Sequence, residues 1–486
     1  MHKIVTKVHR EMVATPWGNS DSLRERRLRP GPGTPRDEVL ANQRLRLFGA
    51  MVASVAERGY LATTVNDLVE ISGVSSRTFY DLYPDKKACF LATLEAMIEA
   101  AVAYAAQSVG KTIANSTPGG VKLPEGRGGE AGSWEQQARI GFDAFAEMVT
   151  VQPAAARLAF LEAYPAGPEA VTLIENATVG FEWLARQTLE QSPERAGMPA
   201  EMIAAHIGAQ QEITRTRLRR GEEAELPGLL DELWDLLLSY RPPPEPLRLA
   251  GRAPRFGPET IDAHDHAERA LRAFAVVVAE EGYVNTTVEA VLKRAQMSAT
   301  TFYANFHGKD DAMLAAIDSA CSQIVAAVMP AFRRAPDWPA GVRAGHGALC
   351  NFLASRPALA QLIAVEVHAA GSAAMERRYE TLRPLEELIG EGFEHEPGAP
   401  ALAAEAITGA VFTLIYKRLR ASGAASGPAS LPALAPLLTY ITLCPFLGAE
   451  EACRVANGDG RSRARPEPRV RAGRSQQPEP QVRSQD

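Results

Sequence analysis

At 486 residues, 46% hydrophobic and 23% charged, the chain has the make-up of a soluble globular protein long enough for several domains. A formal net charge of −6 excludes wholesale coating of nucleic acid, though a net value hides local clusters. Cys89, Cys321, Cys350, Cys444 and Cys453 are scattered without CxxC or Cys/His ligand spacing, which excludes a disulfide framework and a zinc site.

Residues 1–36 hold Trp17-Gly18-Asn19, then Arg24, Arg26, Arg27 and Arg29, then Pro30-Gly31-Pro32-Gly33. Proline and glycine at that density cannot support a packed element. A disordered basic arm is predicted, either a solvated tail or a segment that touches DNA. No basic-then-apolar signal segment and no charge-free apolar run of spanning length is evident, so no membrane contact and a cytoplasmic location are expected.

From residue 37 the pattern turns helical. Leu40, Leu45, Phe48, Val52, Val55 and Ala56 recur at helical spacing, and Gly59-Tyr60 ends the run. Thr63 to Lys87, TTVNDLVEISGVSSRTFYDLYPDKK, then reads as a helix, a tight turn and a second short helix. Thr63 or Thr64 can cap the first helix, Gly73 can close it in left-handed geometry, and Ser75 or Ser76 can cap the second. Phe79 and Tyr83, four apart, face inward, which leaves Ser76, Arg77 and Tyr80 outward. A long apolar helix follows from Ala88 to about Val109. Beyond it lies a Gly/Pro-rich loop over 115–132 that is expected to be disordered, and helical patterns resume from Trp134 to Tyr240.

Between 241 and 258 the chain reads Arg-Pro-Pro-Pro-Glu-Pro and then Pro254 and Pro258, an extended linker that at about 3.1 Å per residue spans up to ~50 Å. After it the plan repeats. TTVEAVLKRAQMSATTFYANFHGKD begins at Thr286, and Thr64/Thr287, Phe79/Phe302, Tyr80/Tyr303 and Lys86/Lys309 are all 223 positions apart. Trp134/Trp338, Pro153/Pro357, Leu158/Leu362 and Glu162/Glu366 share an offset of 204, and Arg217/Arg418 one of 201. The chain is a duplication that includes the helical cores. From 454 it is rich in Arg, Pro, Gln and Ser, and a disordered tail is expected.

The two copies differ where chemistry would matter. Gln296 stands where Gly73 closes the turn, and Thr300 where Arg77 stands. Arg24 to Lys87 carries eleven basic and eight acidic residues, whereas Leu247 to Asp310 carries eight of each. Phosphate attraction supplies most non-specific affinity, so the second copy is expected to be the weaker binder.

Gly73-Val74-Ser75, then Thr78-Phe79-Tyr80, then Pro84-Asp85-Lys86 resembles the helix-turn-helix head of the tetracycline-repressor (TetR) family of bacterial regulators. The resemblance implies an all-α fold of two tandem units, each a three-helix head joined to a ligand-binding and dimerising core. It divides the chain into heads at 37–88 and 259–311 and cores at 89–240 and 312–453. It also implies a recognition helix over 76–82 in the major groove of an operator. In such proteins the positions of Ser76 and Arg77 face base edges, while those of Thr64, Thr78, Tyr80 and Lys86 contact phosphates. The second head would present Thr287, Thr300, Thr301, Tyr303 and Lys309. Arg77 can bond a guanine in bidentate fashion.

The resemblance further implies effector pockets and paired dimer helices, by position 199–220 with 226–239 and 401–420 with 431–447. Leu229, Leu230, Leu233, Trp234 and Leu237 form a stripe able to pack on another helix pair or within its own core. The pairing partner is a second chain in a homodimer or the other half in an intrachain pseudo-dimer. Phe142, Phe145, Met148, Phe160, Tyr164, Phe181 and Trp183 are candidates to line a pocket for a small-molecule effector, with plain core packing as the alternative. No cofactor or metal is implied. A DNA-free helical interaction module is the competing reading. An enzyme is the weakest, since no phosphate loop, nucleophile elbow or HExxH occurs and Glu162 and Glu366 read as a salt-bridging face.

Overall fold

The computed structural model describes residues 12–28, 34–108, 133–249, 265–421 and 427–458. The loop expected over 115–132, the second part of the linker and the tail from 459 lie outside them. The chain is all-α and built of two tandem units. The first runs α1 (Arg36–Ala62), α2 (Val65–Ser72), α3 (Ser76–Leu82), α4 (Lys86–Ser108), α5 (Trp134–Val151), α6 (Pro153–Arg157), α7 (Pro168–Leu189), α8 (Ala200–Arg220) and α9 (Leu226–Ser239). The second repeats it as α10 (His266–Glu281), α11 (Val288–Ala295), α12 (Ala299–Tyr303), α13 (Lys309–Arg333), α14 (Trp338–Ser355), α15 (Pro357–Gln361), α16 (Val367–Ala369), α17 (Ser372–Gly390), α18 (Ala403–Arg420) and α19 (Ala435–Leu447), closed by α20 (Ala449–Asn457). A π-helical turn follows α6 at Leu158–Glu162 and α15 at Leu362–Glu366, so even this irregularity repeats.

Four expectations are corrected. Residues 12–28 of the predicted arm are packed: Leu23 is fully buried, Trp17 lies 5.2 Å from Phe48, and Arg24 donates to the Glu70 carbonyl at the end of α2. A single leucine and tryptophan suffice because they enter an existing groove of the head. Residues 241–249 of the linker are docked rather than free, with Tyr440 donating to the Arg241 carbonyl and Asn457 to the Pro246 carbonyl. The tail begins later than 454, because α20 reaches Asn457. Finally, Lys86–Ala105, Lys309–Arg333 and Pro428–Leu447 are long and apolar enough to cross a membrane by length and composition, and the last carries no charge. Leu438, Tyr440, Ile441 and Leu443 of that last stretch are buried against other helices.

The halves meet along α8 and α18. Gly208 and Gly409, 201 positions apart, mark the closest approach: a Cβ on Gly208 would lie 2.2 Å from Thr413, and one on Gly409 3.2 Å from Glu212. The seam is also polar and unlike on its two sides. Buried Glu212 accepts from Arg215 (3.0 Å) in its own helix and from Arg378 (3.1 Å) and Tyr379 (2.8 Å) of the other half. Burial pulls its carboxyl upward, but Arg215 and Arg378 outweigh this and hold it well below the usual carboxylate range. Arg217 makes a two-pronged contact with Glu405 (2.8 and 2.9 Å), and Arg420 another with Glu175 (both 3.1 Å). The predicted stripe on α9 serves its own core as well: Trp234 packs on Trp134 and Phe142.

Candidate nucleic-acid interface and ligand cavity

Local capping builds the first head. Thr64 is the N-cap of α2: its hydroxyl accepts from the Asp67 N–H, and Asp67 accepts in return from the Thr64 N–H at 2.9 Å. Gly73 ends the helix at φ 64°, ψ 20°, and Ser75 caps α3 by accepting from the Thr78 N–H at 3.1 Å. Thr78 also shares a hydroxyl contact with Ser75 at 2.9 Å and is half-buried. Phe79 and Tyr83 are buried, while Ser76, Arg77 and Tyr80 are exposed on one short helix. Tyr80 is 58% exposed although its ring packs edge-on against Phe79, so α3 holds an aromatic face in solvent. No hydrogen bond or ion pair ties down Arg77 among the described residues.

Several other cations are already engaged. The Lys86 ammonium donates to the carbonyls of Tyr60 (2.7 Å) and Thr63 (2.9 Å) and sits 4.2 Å from the centre of the Tyr60 ring, and its partial burial lowers its pKa. Lys309 repeats this, donating to Tyr283 (3.1 Å) with its ring 4.5 Å away. Both lysines tie the end of a head helix to the start of the long helix. Arg46 is buried and donates to Ser72, Arg58 pairs with Asp67, and Lys87 pairs with Glu169.

In the second head Thr287 caps α11 and Ser298 caps α12 by accepting from the Thr301 N–H at 3.1 Å. Thr300 and Tyr303 are exposed, the latter 56%. Gln296 closes the turn at φ 50°, ψ 50°, the one non-glycine among the described residues with positive φ. Its recognition helix has five residues against seven in α3, and no cation stands on it.

The first core encloses a cavity of about 530 Å³. Of the candidate pocket residues, Phe142, Phe145, Met148, Phe160 and Phe181 line it. Tyr164 and Trp183 do not. Tyr164 lies at the seam, stacked 4.8 Å from His368 and accepting from Arg215, and Trp183 is half-buried elsewhere on α7. The sequence reading missed three contributions: His206 and Gln152, Pro16 and Trp17 of the N-terminal segment, and Ala406, Ile407 and Ala410 of α18 from the other half. The matching space in the second core is about 50 Å³.

A second feature escaped the sequence reading although its signal was present. Glu162 does not lie on a salt-bridging face. Its carboxylate accepts from the Tyr60 N–H at 2.8 Å, beside Gly59, and Glu366 accepts from the Tyr283 N–H at 2.8 Å, beside Gly282. Burial raises the pKa of both carboxyls. Each π-helical turn thus holds the end of a head helix by one partly buried hydrogen bond. The common spacing of Glu162/Glu366 was visible in the sequence, but not the partner.

The model of the bacterial regulatory proteins of the tetR family matches residues 50–93 and 270–316. These segments cover both helix-turn-helix units. The chain carries two tetR-type helix-turn-helix domains in tandem. Its tetR heads are those of a DNA-binding transcriptional regulator. Among solved structures, the fatty acid degradation regulator FadR from Bacillus halodurans is 20% identical, covering 38% of this chain and 96% of that one, with a TM-score of 0.33. The regulator FadR from Bacillus subtilis in complex with stearoyl-CoA is 18% identical, covering 37% and 97%, with a TM-score of 0.32. No curated protein matches the chain.

Proposed function

We propose that the chain is a cytoplasmic repressor that pairs its own two halves on an operator and is released by a small molecule held in the first core. The seam carries this reading. Its ion pairs join unlike residues, Glu212 with Arg378 and Arg217 with Glu405, so two copies of one half would not reproduce them. One chain then presents two heads to unlike half-sites about one helical turn, roughly 34–36 Å, or more apart. In the first, Arg77 and Ser76 read base edges and Thr64, Thr78 and Tyr80 meet phosphates. In the second, Thr287, Thr300, Thr301 and Tyr303 add a weaker grip. The working division keeps heads at 37–88 and 259–311 and adds the docked segment 12–28 to the first. Repression follows from bulk, since a helical protein seated over a promoter blocks polymerase without further contacts.

The release path runs through the π-helical turn. Ala159 and Phe160 line the cavity, and Glu162 two residues on holds Tyr60 in the head. An occupant that shifts this turn shifts the end of α1 and, through Lys86, the start of α4. A mobility-shift assay on the chain's own promoter region at low salt, with light scattering in parallel, tests the reading. A 52.3 kDa monomer giving one asymmetric footprint is expected. A stable dimer of chains would overturn the intrachain pairing, and no shift of any genomic fragment would overturn the regulator reading.

A further inference from the structure

We infer that the first core's cavity takes an uncharged, largely apolar molecule carrying one hydrogen-bonding group, one molecule per chain, and that His206 receives that group. The inference rests on the reading of this cavity as the effector site and adds the chemistry of what fills it.

Among the described residues no Asp, Glu, Lys or Arg lines the cavity. Aromatic rings, methionines and alanines make up most of its wall. A ligand carboxylate, phosphate or ammonium there would lose its hydration with no opposite charge to replace it, a penalty far above that of a neutral hydroxyl or carbonyl.

Most polar groups in the wall are already engaged. The Thr178 hydroxyl donates to the Ile174 carbonyl (2.9 Å) and accepts from Gln211 (2.9 Å). The Thr188 hydroxyl donates to the Leu184 carbonyl (3.1 Å), and Tyr240 donates across the seam to Ile441 (2.9 Å). Of the buried polar atoms in the wall, His206 Nε2 and Gln152 Oε1 have no hydrogen-bond partner among the described residues. Buried polar groups are normally satisfied, so His206, whose ring lies 5.8 Å from that of the cavity-lining Phe142, marks where a ligand's polar end is read. Burial lowers the His206 pKa to about 4, so the ring is neutral near pH 7 and offers one donor and one acceptor to a neutral group.

The stoichiometry follows from the contrast between the cores. At the offset of 204, Phe142 corresponds to His346 and Phe160 to Ala364, yet the second space is only about 50 Å³. A cavity so small holds no drug-sized ligand.

The test uses the full chain and the neutral dye N-phenyl-1-naphthylamine, displaced by 1-dodecanol, methyl laurate, laurate or dodecylammonium below their micelle concentrations. The expected result is one dye site per chain, displaced by the alcohol and the ester at least about tenfold more effectively than by either charged compound. His206→Phe, with its fold checked by circular dichroism, should weaken displacement by the alcohol and leave dye binding intact. Equal or tighter binding of laurate or dodecylammonium, two dye sites per chain, or no site at all would overturn the inference. A parallel mobility shift separates the two readings: DNA binding without dye binding sinks the ligand class alone, and dye binding without DNA binding sinks the regulator reading alone.

Discussion

The two halves of this chain, each with a tetR-type head, share their mechanics and differ in their contact surfaces. Both keep the π-helical turn, the glutamate that holds the head and the lysine that ties the head's first helix to the fourth. They part at the residues that would meet something outside the chain: Arg77 against Thr300, and a cavity of about 530 Å³ against one of about 50 Å³. After duplication, then, packing constraints held each half's frame, while one set of outward-facing groups was free to change.

The largest expected effect lies at the seam, where the halves are least alike. Glu212→Ala leaves Arg215 and Arg378 buried without their counter-charge and should cost about 3–5 kcal/mol in urea unfolding. Thr413, its counterpart at the offset of 201, should tolerate Ala with little loss. Similar costs at both positions would remove the asymmetry claimed for the seam.

Next come the heads. Arg77→Ala should cost roughly 1–3 kcal/mol of discrimination between operator and competitor DNA, read by competition mobility shift. Thr300→Ala should cost less, and equal losses would mean that the second head reads bases as well as the first. The glutamates sharpen the point. Glu162→Ala and Glu366→Ala each leave a buried N–H unpaired and should each cost about 1–3 kcal/mol of stability. Only Glu162→Ala should uncouple ligand from DNA release, because only its turn borders the larger cavity. A variant at Glu366 that abolished the ligand response would place the signal in the wrong half.

Acid should weaken both halves alike. Burial lowers the folded pKa of His206 and His346 to about 4 from an unfolded value near 6.5. Between those values the unfolded chain binds more protons, so stability is fully present above pH 6.5 and falls as the pH drops toward 4. Glu212, whose folded pKa is depressed, adds a further loss below its unfolded value near 4.5. Melting temperatures from pH 7 to 4 check this, and His346→Phe should flatten part of the slope. The smallest effect concerns the turn: Gln296→Gly should raise stability by about 1 kcal/mol by relieving left-handed strain, whereas Gly73→Ala should lower it. In the latter a Cβ would meet the Arg24 side chain at 2.9 Å.

Much of the head could be read from the chain because caps and turns are local. The Thr64–Asp67 pair, Gly73 and Ser75 each act within three or four residues, so spacing alone predicts α2, the turn and α3, and the 223-residue repeat predicts their copy. The duplication and the all-α class were legible for the same reason, being patterns of period and offset. What the fold alone decided depends on residues far apart in the chain. Leu23 and Trp17 sit in a segment too rich in Gly and Pro to promise packing, yet Leu23 is buried and Trp17 half-buried because they pack against the head. Lys86 donates to carbonyls 23 to 26 residues earlier, a tie that no local spacing announces. Tyr164 was expected in the cavity and lies at the seam instead, because its partners are His368 and Arg215. Composition and spacing determined that this chain carries two heads on two helical cores. Which cations are free, which core keeps a cavity and which glutamate holds which head are set by burial, where contact replaces sequence distance as the measure of neighbourhood.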